Sequence, residues 1–358
     1  TQSAHFLREI GQLLMVKVTG KNDILFFSES RRMGITDDFS DIYLDELLSD
    51  MPRAHAVLVI DFSKNKKLRQ KLLPNESYLN LSNIKGVLSL VAGILAVIFA
   101  TFCWKKSKQD EELINFISQN SGMPNKSVSR FIVRSVIFHN LMCFLGAFIV
   151  SRRAKAAFFC GFLSFEGLIQ SCHALSISTF EIQHGSPQEN KLNYHFEARP
   201  NLQYRCQNFL SWGPFFSVFV RNVYQNCIDF GFPYLEKQRR QHVTAEKKSG
   251  ILVISQPAVG KLLSNKLMRA AKDYPECNFI FKCHPYERAE DFQQKFINLS
   301  NVHVIDGGAS IYELFSRCDS AYGVFSTALI ESLHFGLSVN ILDLPGAHKM
   351  KSFLDASG

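Results

Sequence analysis

Short apolar runs alternate with helix-like segments over residues 250–358, and this alternation constrains the fold more than any other feature. The runs hold four to six residues, as at 251–254, 278–282 and 338–342. Buried parallel strands have continuous apolar runs of this length, and the segments between them suit crossover helices. The pattern therefore predicts βαβ units and a parallel sheet. In such a sheet a ligand binds at the carboxyl ends of the strands.

Two of these strand ends carry polar residues that suit an anionic ligand. Lys282 and His284 follow one strand, and the proline after His284 keeps the backbone extended, so the imidazole leaves the sheet edge. Ser326 and Thr327 open a helix after another strand, where N–H groups and two hydroxyls can hold a phosphate. We therefore predict that this half of the chain binds a nucleotide.

Each pattern also has a purely structural explanation. A lone histidine at a strand end often serves packing, and serine or threonine caps helices of every kind. The surrounding residues favour function, because Glu287 lies close in sequence to the histidine and Gly323 allows a ligand to approach closely. Glu331 then follows Thr327 by one helical turn.

The N-terminal half contains further strand candidates and ends in a charged stretch. Residues 236–248 are rich in charged side chains and predict a linker. We therefore divide the chain into a domain over 1–235, a linker over 236–249 and a domain over 250–358. The predicted strands of the first domain lie at 21–27, 56–60, 156–160, 178–182 and 209–213.

A long apolar segment interrupts the first domain. Residues 86–104 carry no charge over 19 positions, which is near the minimum for a membrane-spanning helix, and lysines follow at once. A buried helix, a helix resting on a membrane and a true span all fit. A single crossing would separate the preceding strands from the later sheet, so we favour membrane contact by residues 84–106 without crossing. Residues 131–150 are interrupted by polar side chains and predict a buried core helix.

The amino-acid composition limits the kinds of binding partner that we expect. The net charge is +8, with 46% hydrophobic and 20% charged residues, which excludes a disordered chain. A basic chain suits phosphorylated substrates or an anionic membrane surface. No zinc-finger spacing or RNA-binding aromatic motif is present, so nucleic acid is not an expected partner. Nine widely spaced cysteines without a CxxC pair are typical of a reduced cytosolic protein.

Two loops of the first domain are predicted to meet an acceptor. The turn after the strand at 178–182 contains Gln183, His184 and Gly185, and it is followed by Glu189 and His195. Two histidines could bind a metal, but no third ligand stands at a usual spacing, so a substrate-facing loop is favoured. Arg31 and Arg32 precede an acidic stretch. They belong to a solvated loop or lie beside an anionic substrate.

The order of several short motifs resembles that of one enzyme family. A His-Pro pair follows a strand, and a Ser-Thr pair opens a helix about 40 residues later. The further motifs are at 183–185, 212–213, 231–235, 254–256, 311–313 and 326–331. Over residues 158–350 the chain resembles bacterial GT-B glycosyltransferases that use CMP-activated acidic sugars, namely the sialyl-, polysialyl- and Kdo-transferases of capsule and lipopolysaccharide synthesis.

The resemblance implies two Rossmann-like domains that face each other across a cleft, with the acceptor on the N-terminal one. It implies that His284, Ser326 and Thr327 hold the CMP phosphate. The family's general base lies in an acidic-acidic-Gly motif, of which this chain keeps only Glu166 before a glycine. The expected catalytic residues are Glu166, His184 and His284. The expected nucleotide-binding residues are Gln256, Lys282, His284, Pro285, Glu287, Gly323, Ser326, Thr327 and Glu331. The expected acceptor-binding residues are Arg31, Arg32, Gln183, Gly185, Glu189 and His195.

The predicted activity is an inverting, metal-independent transfer of an acidic sugar to a surface-polysaccharide or lipid-linked glycan. No cofactor is expected, and the expected location is the cytoplasmic face of the inner membrane, as a peripheral or monotopic protein. Three alternatives stay open. They are a GT-B transferase that uses a UDP- or GDP-sugar, a CDP-polyol phosphotransferase of teichoic-acid type, and a non-catalytic membrane-associated assembly protein.

Overall fold

The computed structural model describes residues 9, 22–28, 32–33, 40–52, 55–62, 76–150, 154–161, 165–187, 194, 204–242 and 249–357. Within them the chain forms two parallel α/β sheets, which confirms the prediction of two Rossmann-like domains. The strands of the first sheet lie between residues 24 and 229, and those of the second between 250 and 341.

The first domain is built on a seven-stranded sheet of order β5-β4-β1-β6-β7-β8-β9, in which every pairing is parallel. A short antiparallel pair, β2 and β3, lies outside it. Its strands are β1 (Ile24–Ser28), β2 (Arg32–Met33), β3 (Ser40–Asp41), β4 (Val57–Asp61), β5 (Glu76–Asn80), β6 (Ala156–Cys160), β7 (Ser178–Ile182), β8 (Asn208–Ser211) and β9 (Asn226–Asp229). Its helices are α1 (Asp45–Ser49), α2 (Ser82–Ile98), α3 (Lys108–Ser121), α4 (Asn125–Ile149), α5 (Glu166–Ala174), α6 (Pro214–Val218) and α7 (Pro233–His242), with a π-helical turn at Phe99–Cys103.

The second domain has a five-stranded parallel sheet of order β12-β11-β10-β13-β14. This is the doubly wound order, in which the direction of winding reverses between the first and fourth strands. Its strands are β10 (Gly250–Ile254), β11 (Phe279–Lys282), β12 (Val302–Ile305), β13 (Cys318–Gly323) and β14 (Ser338–Ile341). Its helices are α8 (Gly260–Asp273), α9 (Ala289–Lys295), α10 (Ile311–Arg317), α11 (Thr327–Leu333) and α12 (Lys351–Ser357), with a 3-10 turn at Ala347–Met350.

The apolar strands form these sheets because both of their faces are covered. Every residue of β1 and β4 is buried, as expected for central parallel strands. Successive side chains of a strand point to opposite faces of the sheet, so they enter two different cores. Phe27 and Phe159 pack with α4 and α5 on one face. Phe26 lies on the other face, in a cluster that also contains Leu252 and Tyr312 of the second domain. The second cluster therefore joins the two domains.

A row of aromatic rings crosses this junction. Trp212 stacks on Phe232 with ring centroids 4.6 Å apart and an interplanar angle of 4°. Tyr234, at the start of α7, lies 6.2 Å from Phe232 and 5.7 Å from Tyr312 of α10. The predicted linker, 236–249, thus contains most of α7, which packs on both domains; residues 243–248 are outside the described part of the chain.

Three helices are inserted between β5 and β6. Helices α2 and α4 pack side by side, and α3 connects their far ends. The prediction that residues 131–150 form a buried core helix holds only in part, because Met142, Leu145 and Ile149 lie in the core while other apolar side chains are exposed. In α4, Phe131 is 60% exposed and Phe144 is 66% exposed, whereas Met142 and Leu145 belong to the core of the domain. The sequence showed that the helix is apolar, but it did not show which of its faces the domain covers.

Candidate functional site

The carboxyl edge of the second sheet gathers most of the predicted nucleotide-binding residues. Gln256 follows β10, and its side-chain oxygen accepts the backbone N–H of Phe325, just before α11, at 3.3 Å. This bond joins the loops after β10 and β13, which are the two strands at the switch point of the sheet. The crevice at such a point is where open parallel sheets bind ligands.

Glu287 holds the neighbouring loop in shape. Its carboxylate accepts the backbone N–H of His284 at 2.8 Å and the hydroxyl of Ser255 at 3.0 Å. The same carboxylate lies against Gly260 at the start of α8, where a Cβ atom would be 2.1 Å from Oε1. Glu287 therefore fixes the backbone of the loop that carries His284. A direct contact between Glu287 and the nucleotide stays a prediction.

His284 is half-buried at this edge with its ring already oriented. Its Nδ1 accepts the backbone N–H of Tyr286 at 3.2 Å, so the proton of the neutral ring lies on Nε2, on the opposite side. Burial lowers the pKa of His284, while the Glu287 carboxylate opposes this shift and Lys282 adds to it. At neutral pH the ring is therefore a neutral Nε2–H donor, which suits a phosphate oxygen.

Lys282 is buried, although the sequence analysis expected it to face an anion. Its ammonium donates to the backbone oxygen of Asp306 at 2.5 Å and to that of Cys283 at 3.4 Å. Burial lowers the pKa of Lys282, and the Asp306 carboxylate partly opposes this. Its present bonds fix the loop after β12, and a phosphate contact would require the ammonium to leave them.

The Ser-Thr pair begins α11 as predicted from the sequence. Ser326 caps the helix, because its hydroxyl accepts the backbone N–H of Ala328 at 3.3 Å. Gly323 is needed for packing, since a Cβ there would be 3.0 Å from Leu329 and 3.3 Å from the Ile254 oxygen. The sequence analysis missed one cation beside the pair.

That cation is Lys349, whose ammonium lies 4.5 Å from the ring centroid of Phe325, the residue directly before Ser326. The loop that brings Lys349 there depends on Gly346, which has a φ of +99°. A Cβ atom at this position would lie 2.5 Å from the Phe325 ring. The only sequence signal was a lysine shortly after the last strand.

Glu331 lies half-buried one turn after the pair. The hydroxyl of Tyr312 donates to its carboxylate at 3.1 Å. Burial raises the pKa of Glu331 to about 7, and the Tyr312 bond opposes this shift. Burial also raises the pKa of Tyr234, with a further contribution from Glu331. A carboxylate kept in this environment can accept hydrogen bonds from a sugar diol.

In the first domain, Gln183 shapes the loop after β7. Its side chain is fully buried, donates to the Gly185 oxygen at 2.9 Å and accepts the backbone N–H of Trp212 at 2.7 Å. The indole N–H of Trp212 donates to the backbone oxygen of Gln183 at 3.1 Å. The side-chain amide of Gln183 is thus occupied by bonds within the protein. Acceptor binding by the other residues of this loop remains a prediction.

His184 projects from this loop with one third of its side chain exposed. Its Nδ1 lies 4.0 Å from Oε1 of Glu181, a fully buried carboxylate. Glu181 accepts the hydroxyls of Tyr194, at 2.9 Å, and Tyr224. The sequence analysis missed Glu181, although a glutamate inside an apolar strand is a signal by itself, since carboxylates are rarely fully buried unless paired.

Glu166 is the first residue of α5, and it is half-buried. Burial raises the pKa of Glu166, and the charges of His139 and Arg205 act in the opposite direction. Glu166 follows β6 and His184 follows β7, and these two strands are neighbours in the sheet. The ring of His184 also lies against Gly161, directly after β6.

Several predicted residues lie outside the described part of the chain. Arg31, Glu189 and His195 are among them, and for Arg32 only the backbone of β2 is described. Among the described residues, no three His, Cys, Asp or Glu side chains are grouped as metal ligands would be. The acceptor-binding and metal-independence predictions therefore stay predictions.

Comparison with known proteins identifies the fold. No protein-family model and no curated protein matches the sequence. A solved UDP-N-acetylglucosamine 2-epimerase is 9% identical, with a TM-score of 0.53 over 94% of this chain and 82% of that chain. The chain has the GT-B fold. This confirms the fold prediction, and an identity this low shows the fold alone.

Two further solved structures are similar at lower scores. The UDP-GlcNAc 2-epimerase of Neisseria meningitidis, bound to UDP-GlcNAc, is 13% identical with a TM-score of 0.48, over 93% of this chain and 89% of that chain. The wall teichoic acid polymerase TagF, in a structure with CDPG, is 11% identical with a TM-score of 0.46, over 98% and 80%.

Proposed function

We propose that the chain is an inverting glycosyltransferase that moves an acidic sugar from a CMP-sugar to a surface-polysaccharide or lipid-linked glycan. One observation carries the proposal: each of the two sheets presents a supported histidine at its carboxyl edge. His184 has a buried carboxylate behind it, and His284 is oriented next to a loop that Glu287 holds. A transferase needs a base on the acceptor side and donors on the leaving-group side.

On the donor side, three groups would hold the phosphate of the nucleotide. They are Nε2–H of His284 and the hydroxyls of Ser326 and Thr327, and Lys349 would add positive charge nearby. Hydrogen bonds aimed at the departing phosphate lower the barrier because they strengthen as negative charge develops there. The single negative charge of a CMP-sugar phosphate suits this arrangement of neutral donors.

On the acceptor side, His184 is our first candidate for the general base. A buried carboxylate behind an imidazole stabilises the imidazolium that forms when the imidazole takes a proton. Glu181 lies 4.0 Å from Nδ1 of His184, close enough to attract an imidazolium but beyond hydrogen-bond distance. Glu166, which the resemblance suggested, is our second candidate, and its raised pKa is also compatible with proton transfer.

Substitutions distinguish these two bases. We expect His184→Ala to lower turnover by about 10²- to 10⁴-fold while donor binding is retained, and Glu181→Gln to lower turnover in the same direction. Glu166→Gln should have the smaller effect. The measurement is kcat with saturating donor, together with donor affinity by calorimetry. Loss of turnover in Glu166→Gln and its retention in His184→Ala would reverse the assignment.

A second candidate function follows from Glu331. A half-buried carboxylate beside Tyr312, one turn after the Ser-Thr pair, suits the ribose diol of a UDP- or GDP-sugar. In that case the donor would be a neutral hexose nucleotide, and the chemistry at His184 would be unchanged. A CDP-polyol donor would use the same phosphate site, but the acceptor hydroxyl would attack phosphorus.

A donor panel separates these functions. Purified protein would be incubated with CMP-, UDP-, GDP- and CDP-linked donors, and both nucleotide release and thermal shift would be measured. We expect CMP release from a CMP-linked acidic sugar, and its loss in His284→Ala. Preference for a UDP- or GDP-sugar would support the second function. No release and no thermal shift from any donor would contradict an enzyme and favour an assembly protein.

We also propose that the reaction takes place at the cytoplasmic face of the inner membrane. In a bacterial cell this side would supply the nucleotide-activated sugar and lipid-linked acceptors. The basic balance of the chain supports this location, since an anionic lipid surface attracts basic proteins.

A further inference from the structure

Residues 82–149 form an insertion of three helices between β5 and β6. The chain runs outward through α2 and a π-helical turn, passes through α3, and returns through α4. Helix α2 packs beside α4, where Arg134 donates to the Ser89 hydroxyl of α2 at 2.9 Å. We call this insertion the helical hairpin.

The hairpin is too short to cross a bilayer, although α2 and α4 are both long and apolar enough by composition. The last part of α4 packs along α5, where Nε2 of His139 lies 2.8 Å from Oε1 of Gln170. Further along, a Cβ on Gly146 would be 2.3 Å from the Ser171 hydroxyl. Only residues 125–138 of α4 project from the domain, and they measure about 21 Å at 1.5 Å for each residue. The hydrocarbon core of a bilayer is about 30 Å thick.

The hairpin projects from the edge of the sheet at which the candidate acceptor site lies. Helix α2 begins just after the carboxyl end of β5, and the ammonium of Lys85 in its first turn lies 5.9 Å from the ring centroid of Phe165, directly before α5. Helix α4 meets the first turn of α5 at His139, since a Cβ on Gly167 would be 2.7 Å from the His139 backbone oxygen. Both projecting helices therefore leave the domain at the carboxyl edge of the first sheet, which carries the two candidate bases.

The outer surface of α2 is apolar and exposed. Along its middle the buried residues are Ala92 and Ala96, whose small side chains let two helices approach closely. The larger apolar side chains face outward, and Phe102 is 82% exposed. The exposed set is Val87, Leu90, Val91, Ile94, Leu95, Val97, Ile98, Phe99 and Phe102. A continuous apolar surface of this kind marks a contact with lipid or with another protein.

Basic side chains border this apolar surface along α4. Lys126, Arg130 and Arg134 recur at intervals of four residues, so they lie along one side of the projecting part of the helix. Arg134 reaches across to α2, because a Cβ on Gly93 would lie 4.0 Å from its Nε. Residues 82–138 contain seven basic side chains against three acidic ones, so the hairpin as a whole is cationic.

The far end of α2 has the residues of a membrane interface. Trp104 is followed by Lys105 and Lys106, and the ammonium of Lys106 lies 5.8 Å from the centroid of the Trp104 ring. Aromatic and basic side chains are enriched at the level of lipid headgroups. An apolar surface bordered by cations complements an anionic lipid layer. A second copy of the chain fits less well, because a symmetric contact through α2 would bring two sets of these cations together.

We propose that the helical hairpin lies on an anionic phospholipid surface without crossing it. The exposed face of α2 enters the boundary between headgroups and acyl chains, and the basic side chains bind lipid phosphates. Because the hairpin leaves the domain beside the candidate bases, the carboxyl edge of the first sheet is held at the membrane surface. This inference deepens the membrane location proposed above, and it does not require the glycosyltransferase chemistry.

Sedimentation with liposomes measures the contribution of the cations. Purified full-length protein would be mixed with vesicles of phosphatidylcholine, either alone or with phosphatidylglycerol. We expect binding to the anionic vesicles that weakens as salt is added. Combined Lys105→Gln, Lys106→Gln and Lys126→Gln should weaken this binding by about 100-fold, since each basic side chain near an anionic surface contributes about fivefold in affinity.

A variant of the second domain controls for net charge. Combined Lys261→Gln, Lys266→Gln and Lys272→Gln removes the same charge from the exposed face of α8. It should leave liposome binding nearly unchanged, because α8 is outside the hairpin. All six lysines are exposed, so the domains should fold in both variants.

A second pair of variants tests the apolar contact. Leu90→Gln combined with Ile94→Gln removes exposed apolar area from α2 and should weaken binding to anionic vesicles at least about tenfold. Leu262→Gln combined with Ile297→Gln is the control, since both side chains are exposed on the second domain. The control should bind as the wild-type protein does.

The two tryptophans of the chain report which part of the protein enters the lipid. Trp212→Phe leaves Trp104 in the hairpin as the only tryptophan, and Trp104→Phe leaves Trp212 in the first domain. Lipids brominated on their acyl chains quench tryptophan fluorescence at short range. We expect them to quench Trp104 and to leave Trp212 unchanged.

Four results would overturn the proposal. They are an absence of binding to anionic vesicles, equal binding to vesicles without anionic lipid, equal losses in the two lysine variants, and quenching of Trp212 alone. A soluble dimer that Leu90→Gln with Ile94→Gln dissociates would likewise show that a second copy of the chain covers α2. None of these measurements uses a nucleotide sugar, so this proposal and the proposed activity can fail separately.

Discussion

Replacing Glu331 with glutamine should stabilise the protein increasingly as the pH rises above about 4.5, with the full effect above about 7. Burial raises the pKa of Glu331 from 4.5 to about 7. Below the lower value the carboxyl is protonated in both the folded and unfolded chain. As the pH rises, the unfolded chain loses its proton first, so the folded state loses stability between the two values. Above the pKa of Glu331 in the folded protein, the whole of this loss of stability is present.

The size of this cost follows from the shift. A change from 4.5 to about 7 corresponds to roughly 3 kcal/mol at most, at about 1.36 kcal/mol for each pKa unit. Glutamine has nearly the same shape and stays neutral, so Glu331→Gln should recover up to about 3 kcal/mol above the folded pKa. For a large domain about 2 °C of thermal midpoint corresponds to 1 kcal/mol, which gives a rise of up to about 6 °C.

The assay is thermal unfolding followed by circular dichroism at about pH 5 and about pH 8. Glu313→Gln is the matched control, because Glu313 is 51% exposed on α10 and paired with Arg317, and surface pairs contribute little. Its midpoint should change little at either pH. An equal shift of Glu331→Gln at both pH values, or no shift at the higher one, would refute the reasoning.

The same variant should bind nucleotide at least about tenfold more weakly, since it loses a charged acceptor.

Three further substitutions test the donor site and the packing of α5 on α4. His284→Ala should lower donor turnover by about 10²- to 10³-fold, because it removes a donor to the leaving phosphate, and full activity would exclude that role. Ser326→Ala combined with Thr327→Ala should weaken nucleotide binding by about tenfold or more in calorimetry, and unchanged affinity would exclude the hydroxyls as ligands. Gly167→Ala should destabilise the protein by about 1–3 kcal/mol in chemical unfolding, since its Cβ would lie 2.7 Å from a backbone oxygen of α4. Gly86→Ala is the control with nothing within 4 Å, and equal effects of the two alanines would contradict the packing argument.

Several of the strands that sequence analysis found are covered on both faces. β1, β4 and β10 are short apolar runs, and burial on both sides of a parallel sheet requires that composition. β5 and β9 were missed, and they are the two edge strands of the first sheet. An edge strand is held by one neighbour and meets solvent, so its sequence need not form a continuous apolar run.

At the site, the sequence indicated positions but not directions. Lys282 and Gln183 stand at strand ends as predicted, yet both side chains turn into the protein and bind backbone groups. The roles of Glu181 depend on Tyr194 and Tyr224, which are 13 and 43 residues away in the chain. Partners at such distances are set by tertiary packing, which local patterns do not encode.

One buried and one half-buried carboxylate lie near the two candidate sites, and tyrosine hydroxyls donate to both. Glu181 lies behind His184, and Glu331 lies one turn after the Ser-Thr pair. Removing a carboxylate from water costs several kcal/mol, and neutral hydroxyl donors offset only part of this. A fold that needed only stability would place apolar side chains at both positions. The cost falls at the carboxyl edges of the two sheets, and this supports the roles that we propose for the two carboxylates.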